Sequence, residues 1–68
     1  MKNNIRQYRE AAELTQEELA KLAGVSRQSI ISIEKGHYVP TSILALKLSI
    51  VLKMKAEELF ILEKKDWK

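Results

Sequence analysis

Residues 16–35, QEELAKLAGVSRQSIISIEK, constrain this chain more than any other stretch. They read as two short helices joined by a turn at Gly24, a residue that takes a left-handed conformation without steric cost. The run Thr15-Gln16-Glu17-Glu18 has the spacing of a capping box. The Thr15 hydroxyl accepts from the amide three residues on, and the Glu18 carboxylate reaches back to the Thr15 amide. Ser26 is placed to cap the second helix, over about 27–34, and Gly36 to end it. At about 100° per residue, Ile30 and Ile33 fall on one side of that second helix. Arg27, Gln28, Ile31 and Ser32 fall on the other. A short helix pinned by an apolar stripe, with polar side chains on its free face, has the form of an element that enters the major groove of DNA.

The rest of the chain predicts further helices. It is rich in Leu, Ala, Glu, Lys and Gln, lacks strand-like alternation, and has two glycines and one proline. A first helix is expected over about 4–12, with Asn3 or Asn4 as cap and Ile5 and Tyr8 turned inward. A fourth should follow Thr41 to about 52, and a fifth should cover about 56–62. Lys64 to Lys68 read as a charged, frayed tail, apart from Trp67. The expected fold class is therefore all-α: a compact five-helix bundle, with one domain over residues 1–62 and a charged tail over 63–68. At 68 residues a chain buries roughly 60% of its unfolded surface, enough for one modest core.

Composition removes several function classes. Without cysteine and with His37 as its one histidine, the chain has no basis for a disulfide or a zinc site. No metal or other cofactor is expected. No apolar run approaches the roughly 18 residues of a membrane span, and the opening MKNNIRQYRE is too polar for a signal peptide. A cytoplasmic protein is expected, without a membrane or small-molecule partner. No nucleophile–base pair or phosphate-cradling loop suggests an enzyme. The net charge of +3 permits a nucleic-acid partner without demanding one. Residues 1–40 carry six basic and five acidic groups, and residues 41–68 carry six and four, so any attraction to DNA depends on placement.

The side chains on the free face suit base edges. Arg27 can donate twice to guanine O6 and N7, and Gln28 can donate to and accept from adenine N7 and N6. Ser32 can do either with one bond, and the Ile31 methyls can meet a thymine methyl.

Gln16, Ala20 and Gly24, with apolar Leu19, Ala23, Val25, Ile30 and Ile33 at set offsets, resemble the helix-turn-helix of the phage-repressor-like (Xre/Cro-type) family of transcriptional regulators. The likeness runs from Ile5 to Leu62 and takes in Arg9, the Gly36–Pro40 loop and Glu57-Glu58-Leu59-Phe60. It implies a lambda-repressor-like fold and several roles. Gln16 would contact a phosphate and brace the Gln28 side chain. Thr15 and the amides at the start of the same helix would meet that phosphate. Ser26, Lys35, His37, Tyr38 and Thr41 would touch the DNA backbone, and Arg9 would pair with Glu34. The chain departs from the pattern at Glu13 and Lys53, where turn residues are usual, and at Lys55, where a cap is usual.

The fourth helix is apolar nearly all round. Leu44, Leu48, Val51 and Leu52 form one face, while Ile43, Leu46 and Ile50 lie away from it. Such a helix is normally covered all round. Either the fifth helix and tail fold back over it, or a second copy does. The expectation is a two-fold homodimer using Ile43, Leu46, Ile50, Ile61 and Trp67. Together these readings predict a regulator, most simply a repressor, that binds double-stranded DNA at a palindromic operator. The rival reading is an antitoxin or adaptor that uses the same fold to grip a protein.

Overall fold

The computed structural model describes residues 1–67. Five α-helices run α1 (Ile5–Ala11), α2 (Gln16–Ala23), α3 (Arg27–Glu34), α4 (Ser42–Leu52) and α5 (Ala56–Leu59). Most of their ends are set by local chemistry. The Thr15 hydroxyl accepts from the Glu18 amide at 3.0 Å, and the Glu18 carboxylate accepts from the Thr15 amide at 2.8 Å. This is the reciprocal capping box that spacing predicted. Ser26 caps α3 through the Ser29 amide at 3.2 Å, and Thr41 caps α4 through the Leu44 amide at 3.2 Å. Gly24 closes α2 in the left-handed region, with φ 71°.

Two non-glycine residues occupy that same region: Glu13 with φ 60° and Lys53 with φ 56°. They are two of the positions where the chain departs from the family pattern. Lys53 closes α4 as glycine would, and the Ser49 hydroxyl donates to the Met54 carbonyl across the bend. Lys55, the third departure, stands at the N-cap of α5 and makes no side-chain cap bond.

Ile5, Leu19, Ala20, Ala23, Ile30, Ile33, Leu44, Leu48, Leu52 and Leu59 form one buried cluster. Tyr8, Leu14, Val25, Val51, Met54 and Phe60 pack around it. All five helices contribute, so the orientation of α3 is set by the whole core. Small Ala20 and Ala23 lie where α2 and α3 pack most extensively, allowing close approach.

The molecule departs from the all-α expectation at its two ends. Lys2–Asn3 (β1) and Phe60–Ile61 (β2) pair as antiparallel strands, with Lys2 opposite Ile61 and Asn3 opposite Phe60. The fifth helix therefore stops at Leu59, short of the expected 62. The Asn4 amide also donates to the Leu59 carbonyl at 2.8 Å, extending the seam between the ends. Asn3 partly caps α1, its Oδ1 accepting from the Ile5 amide at 3.2 Å. Its Nδ2 donates to the Ile33 carbonyl at 2.7 Å, tying the ribbon to the end of α3.

The tail is not frayed over its described residues. Lys64–Trp67 form a 3₁₀ turn. The Asp66 carboxylate accepts from the Glu63 amide at 2.8 Å, and the Met1 ammonium lies 3.2 Å from Glu63 and 3.4 Å from Asp66. These bonds hold the Asp66 carboxyl below its ordinary range, the Glu63 amide contributing most. The part of the tail reading that falls on residue 68 lies outside the described residues.

Candidate nucleic-acid interface

Burial of Ile30 and Ile33 turns the opposite side of α3 outward. Arg27 and Gln28 are exposed, and Ile31 and Ser32 are half-buried on the same side. This puts two long polar side chains at the front of the helix, with a branched apolar residue and a hydroxyl set back behind them. Among the described residues none covers Arg27 or Gln28.

Three shallow concavities border this face. One is lined by Arg9, Thr15, Gln16, Glu17 and Arg27, where the start of α2 meets the start of α3. The first amides of a helix lack partners within it, so they point positive charge into this notch. The Thr15 hydroxyl accepts its capping bond from the Glu18 amide at the rim of this notch. Glu17 works against an anion here. The nearby Glu18 carboxylate is occupied in the capping box, which lowers its pKa through bonds from the Thr15 amide and hydroxyl.

The second concavity is lined by Arg6, Arg9, Gln16, Ile31, Glu34 and Lys35. Along it lies a network of facing side chains. Arg9 Nε donates to Glu34 at 2.7 Å, and a terminal nitrogen donates to the other carboxylate oxygen at 3.3 Å. The remaining terminal nitrogen donates to the Leu14 carbonyl at 2.9 Å, fastening the α1–α2 turn. The bond to Glu34 dominates the upward shift of the Arg9 pKa. Gln16 Nε2 also donates to Glu34, at 3.2 Å. The resemblance implied that Gln16 braces Gln28; in the free protein it is Glu34 that holds it. Three donors thus converge on one carboxylate, which joins α1, the start of α2 and the end of α3.

The third concavity, lined by Ser26, Gln28, Ser29, Ser32 and Tyr38, flanks the other edge of α3. Ser26 and Ser29 hydroxyls lie 3.0 Å apart there. Gly36, with φ 78°, turns the chain back, and the His37 amide donates to the Ser32 carbonyl at 2.9 Å. That fold brings Tyr38 beside Gln28. Lys35, His37, Tyr38 and Thr41 are all exposed. Thr15, Gln16, Ser26 and Tyr38 thus border α3, while Thr41 caps α4 and lines none of these concavities.

Sequence reasoning missed Arg6 on the rim of the second concavity, Ser29 in the third, and the Asn3 bond to the end of α3. Arg6 had one legible signal: it lies three residues before Arg9 and therefore on the same side of α1. Asn3 had none, because its partner is 30 positions away.

The family model described as Helix-turn-helix matches residues 5–59. The chain belongs to the helix-turn-helix family. More narrowly, it is a DNA-binding transcriptional regulator of the phage-repressor-like (Xre) type. A helix-turn-helix regulator of Methanocaldococcus jannaschii, named as uncharacterised, is 52% identical over 63 residues, covering 93% of this chain and 96% of its own. The Bacillus subtilis regulator YgzD, also named as uncharacterised, is 42% identical over 66 residues, covering 97% of this chain and 100% of its own. Among solved structures, the restriction-modification controller protein C.AhdI from Aeromonas hydrophila superposes with a TM-score of 0.76 at 36% identity. The match covers 82% of this chain and 85% of that one. In this helix-turn-helix protein α2 and α3 are the paired helices, and α3 is the one whose outer face is free.

Proposed function

We propose that this regulator binds a palindromic operator as a homodimer and represses transcription where the operator overlaps a promoter. Arg27, Gln28, Ile31 and Ser32 read bases; Thr15, Gln16, Ser26, Lys35, His37, Tyr38 and Thr41 set the register on the sugar–phosphate backbone. The single observation that carries this reading is the free outer face of α3, with Arg27 and Gln28 exposed and flanked by open concavities that Thr15, Gln16, Ser26 and Tyr38 help to line.

The dimer rests on a second observation. The monomer leaves Ile43 67%, Leu46 59% and Ile50 76% exposed along α4, with Ile61 and Trp67 also exposed. Neither α5 nor the 3₁₀ turn covers that face of α4. A second copy related by two-fold symmetry would bury it and place two α3 helices about one turn of DNA apart, roughly 10 bp. The same face is what an antitoxin or adaptor would use to grip another protein. The capped and exposed α3 favours DNA. Among the described residues no helix is long and apolar enough to cross a membrane, consistent with work beside cytoplasmic DNA.

Enrichment of bound duplexes from a random pool tests both halves. The expected result is a motif with inverted half-sites at that spacing. Binding without any sequence preference would overturn base reading by α3, and a single unrepeated half-site would overturn the two-fold dimer.

A further inference from the structure

The base-reading and phosphate roles above involve α2, α3 and the loop after α3. They leave α1 with no part beyond the Arg9 bridge. Arg6 does not fit that division. It lines the same concavity as Gln16, Ile31 and Lys35, on the flank of the reading helix. Its side chain is 73% exposed, and its one ionic contact among the described residues is from Nε to Glu10 at 3.3 Å, within α1. That carboxylate is itself 57% exposed, and exposed pairs of this type are weak and readily exchanged. The terminal nitrogens of Arg6 take no part in that contact, so the planar fork that suits a phosphate stays available.

The acidic group in the concavity does not oppose this use. Glu34 accepts from Arg9 twice and from Gln16 once, so its charge is matched by a guanidinium within 2.7 Å. What remains on the rim is Arg6 on one side and Lys35 on the other. Both are exposed cations beside a half-buried Ile31.

The geometry points to Arg6 as a contact to a DNA backbone phosphate, extending the interface from α2 and α3 onto α1. The inference rests on the DNA-binding reading and names a further residue of that interface. The phosphate is on the strand that passes the start of α2, beyond the one met by Thr15 and Gln16. Consecutive phosphates of one strand then follow the line from Thr15 and Gln16 to Arg6. Glu10 holds the guanidinium in the free protein and releases it on binding.

The test is the salt dependence of binding to two duplexes: one enriched from a random pool and one of scrambled sequence. Each phosphate contact adds about 0.9 to the slope of log affinity against log salt. Arg6→Gln is expected to lower the slope by about 1 on both duplexes. Its affinity deficit relative to the wild type should therefore shrink about 3–4-fold between about 50 and 200 mM salt. Base preference should stay unchanged, and Arg6→Lys should restore most of the slope. Lys55→Gln removes the same charge from the α4–α5 turn, where it borders none of these concavities, and should leave the slope intact. An Arg6→Gln slope equal to that of Lys55→Gln would overturn the inference and leave the DNA-binding reading standing. A changed base preference would also overturn it, as a contact to a base. No salt-dependent binding by the wild type would remove both.

Discussion

The Arg9–Glu34 bridge invites a double-mutant cycle. Side-chain exposures of 10% and 6% make it a nearly buried pair. Breaking a buried pair by removing one partner costs about 3–5 kcal/mol, because the other charge is left unmatched. Here the pair borders an open concavity and Gln16 remains as a donor, so the lower part of that range applies to Arg9→Met. Glu34→Leu leaves Arg9 with the Leu14 carbonyl alone. Each single variant should therefore lose about 3–4 kcal/mol. A chain of 68 residues has a total stability of about 3–10 kcal/mol at 0.05–0.15 per residue. A loss of about 3 kcal/mol shifts a domain of this size by roughly 12–24 °C in melting temperature. The double variant Arg9→Met/Glu34→Leu removes both charges and substitutes apolar volume, so it should recover at least half of either single loss. Urea unfolding followed by helical circular dichroism, with the slope m held constant across the series, reads all four corners. Additive losses in the double variant would refute the argument, because they would mean that the charges do not sense each other.

Four further outcomes follow from the geometry. Gln28→Ala should relax specificity at one base position by about 1–3 kcal/mol while leaving the melting temperature unchanged, read by competition among single-base operator variants. Ile50→Glu should keep sedimentation at the monomer value and weaken operator binding; a variant that stays dimeric would remove α4 from the interface. Lys53→Gly relieves a positive φ of 56° and should raise stability by about 1 kcal/mol in thermal melts. The Glu18 pKa is lowered in the folded state by the Thr15 amide and hydroxyl. Its contribution is therefore complete above its ordinary value of 4.5 and is lost as pH falls through the lower folded value. Glu18→Gln keeps the reach to Thr15 without the titration, so its stability deficit should shrink on acidification from about pH 5 to 3.

The readable parts of the fold share one property, which is short range. The capping box at Thr15, the caps at Ser26 and Thr41 and the left-handed Gly24 depend on residues three or four positions apart. Spacing in the chain is therefore nearly spacing in the molecule. The outer face of α3 was legible for the same reason, since Ile30 and Ile33 locate the core side and helical geometry places Arg27 and Gln28 opposite. The Arg9–Glu34 bond spans 25 positions, and nothing in local spacing points to it; only the resemblance to a known family implied it.

What escaped was long-range and polar. The β1–β2 ribbon joins the two ends of the described chain over two residues each, too short for any alternation to show. Because β2 begins at Phe60, helix five ends early at Leu59, although Leu59-Phe60-Ile61-Leu62 is apolar enough to continue it. The 3₁₀ turn is closed locally by Asp66 and Glu63, but its attachment to the Met1 ammonium is a contact between opposite ends. In the free protein Gln16 meets Glu34 because the core brings the start of α2 against the end of α3.

The order of amino acids determined where helices start and stop and which flank of α3 stays wet, because caps, glycine turns and helical periodicity act within a single turn of backbone. Tertiary packing decided which carboxylate gathers Arg9 and Gln16, how the ends are stitched, and that Arg6 stands beside the reading face. Those choices follow from burying one shared core, and no stretch of chain carries them alone.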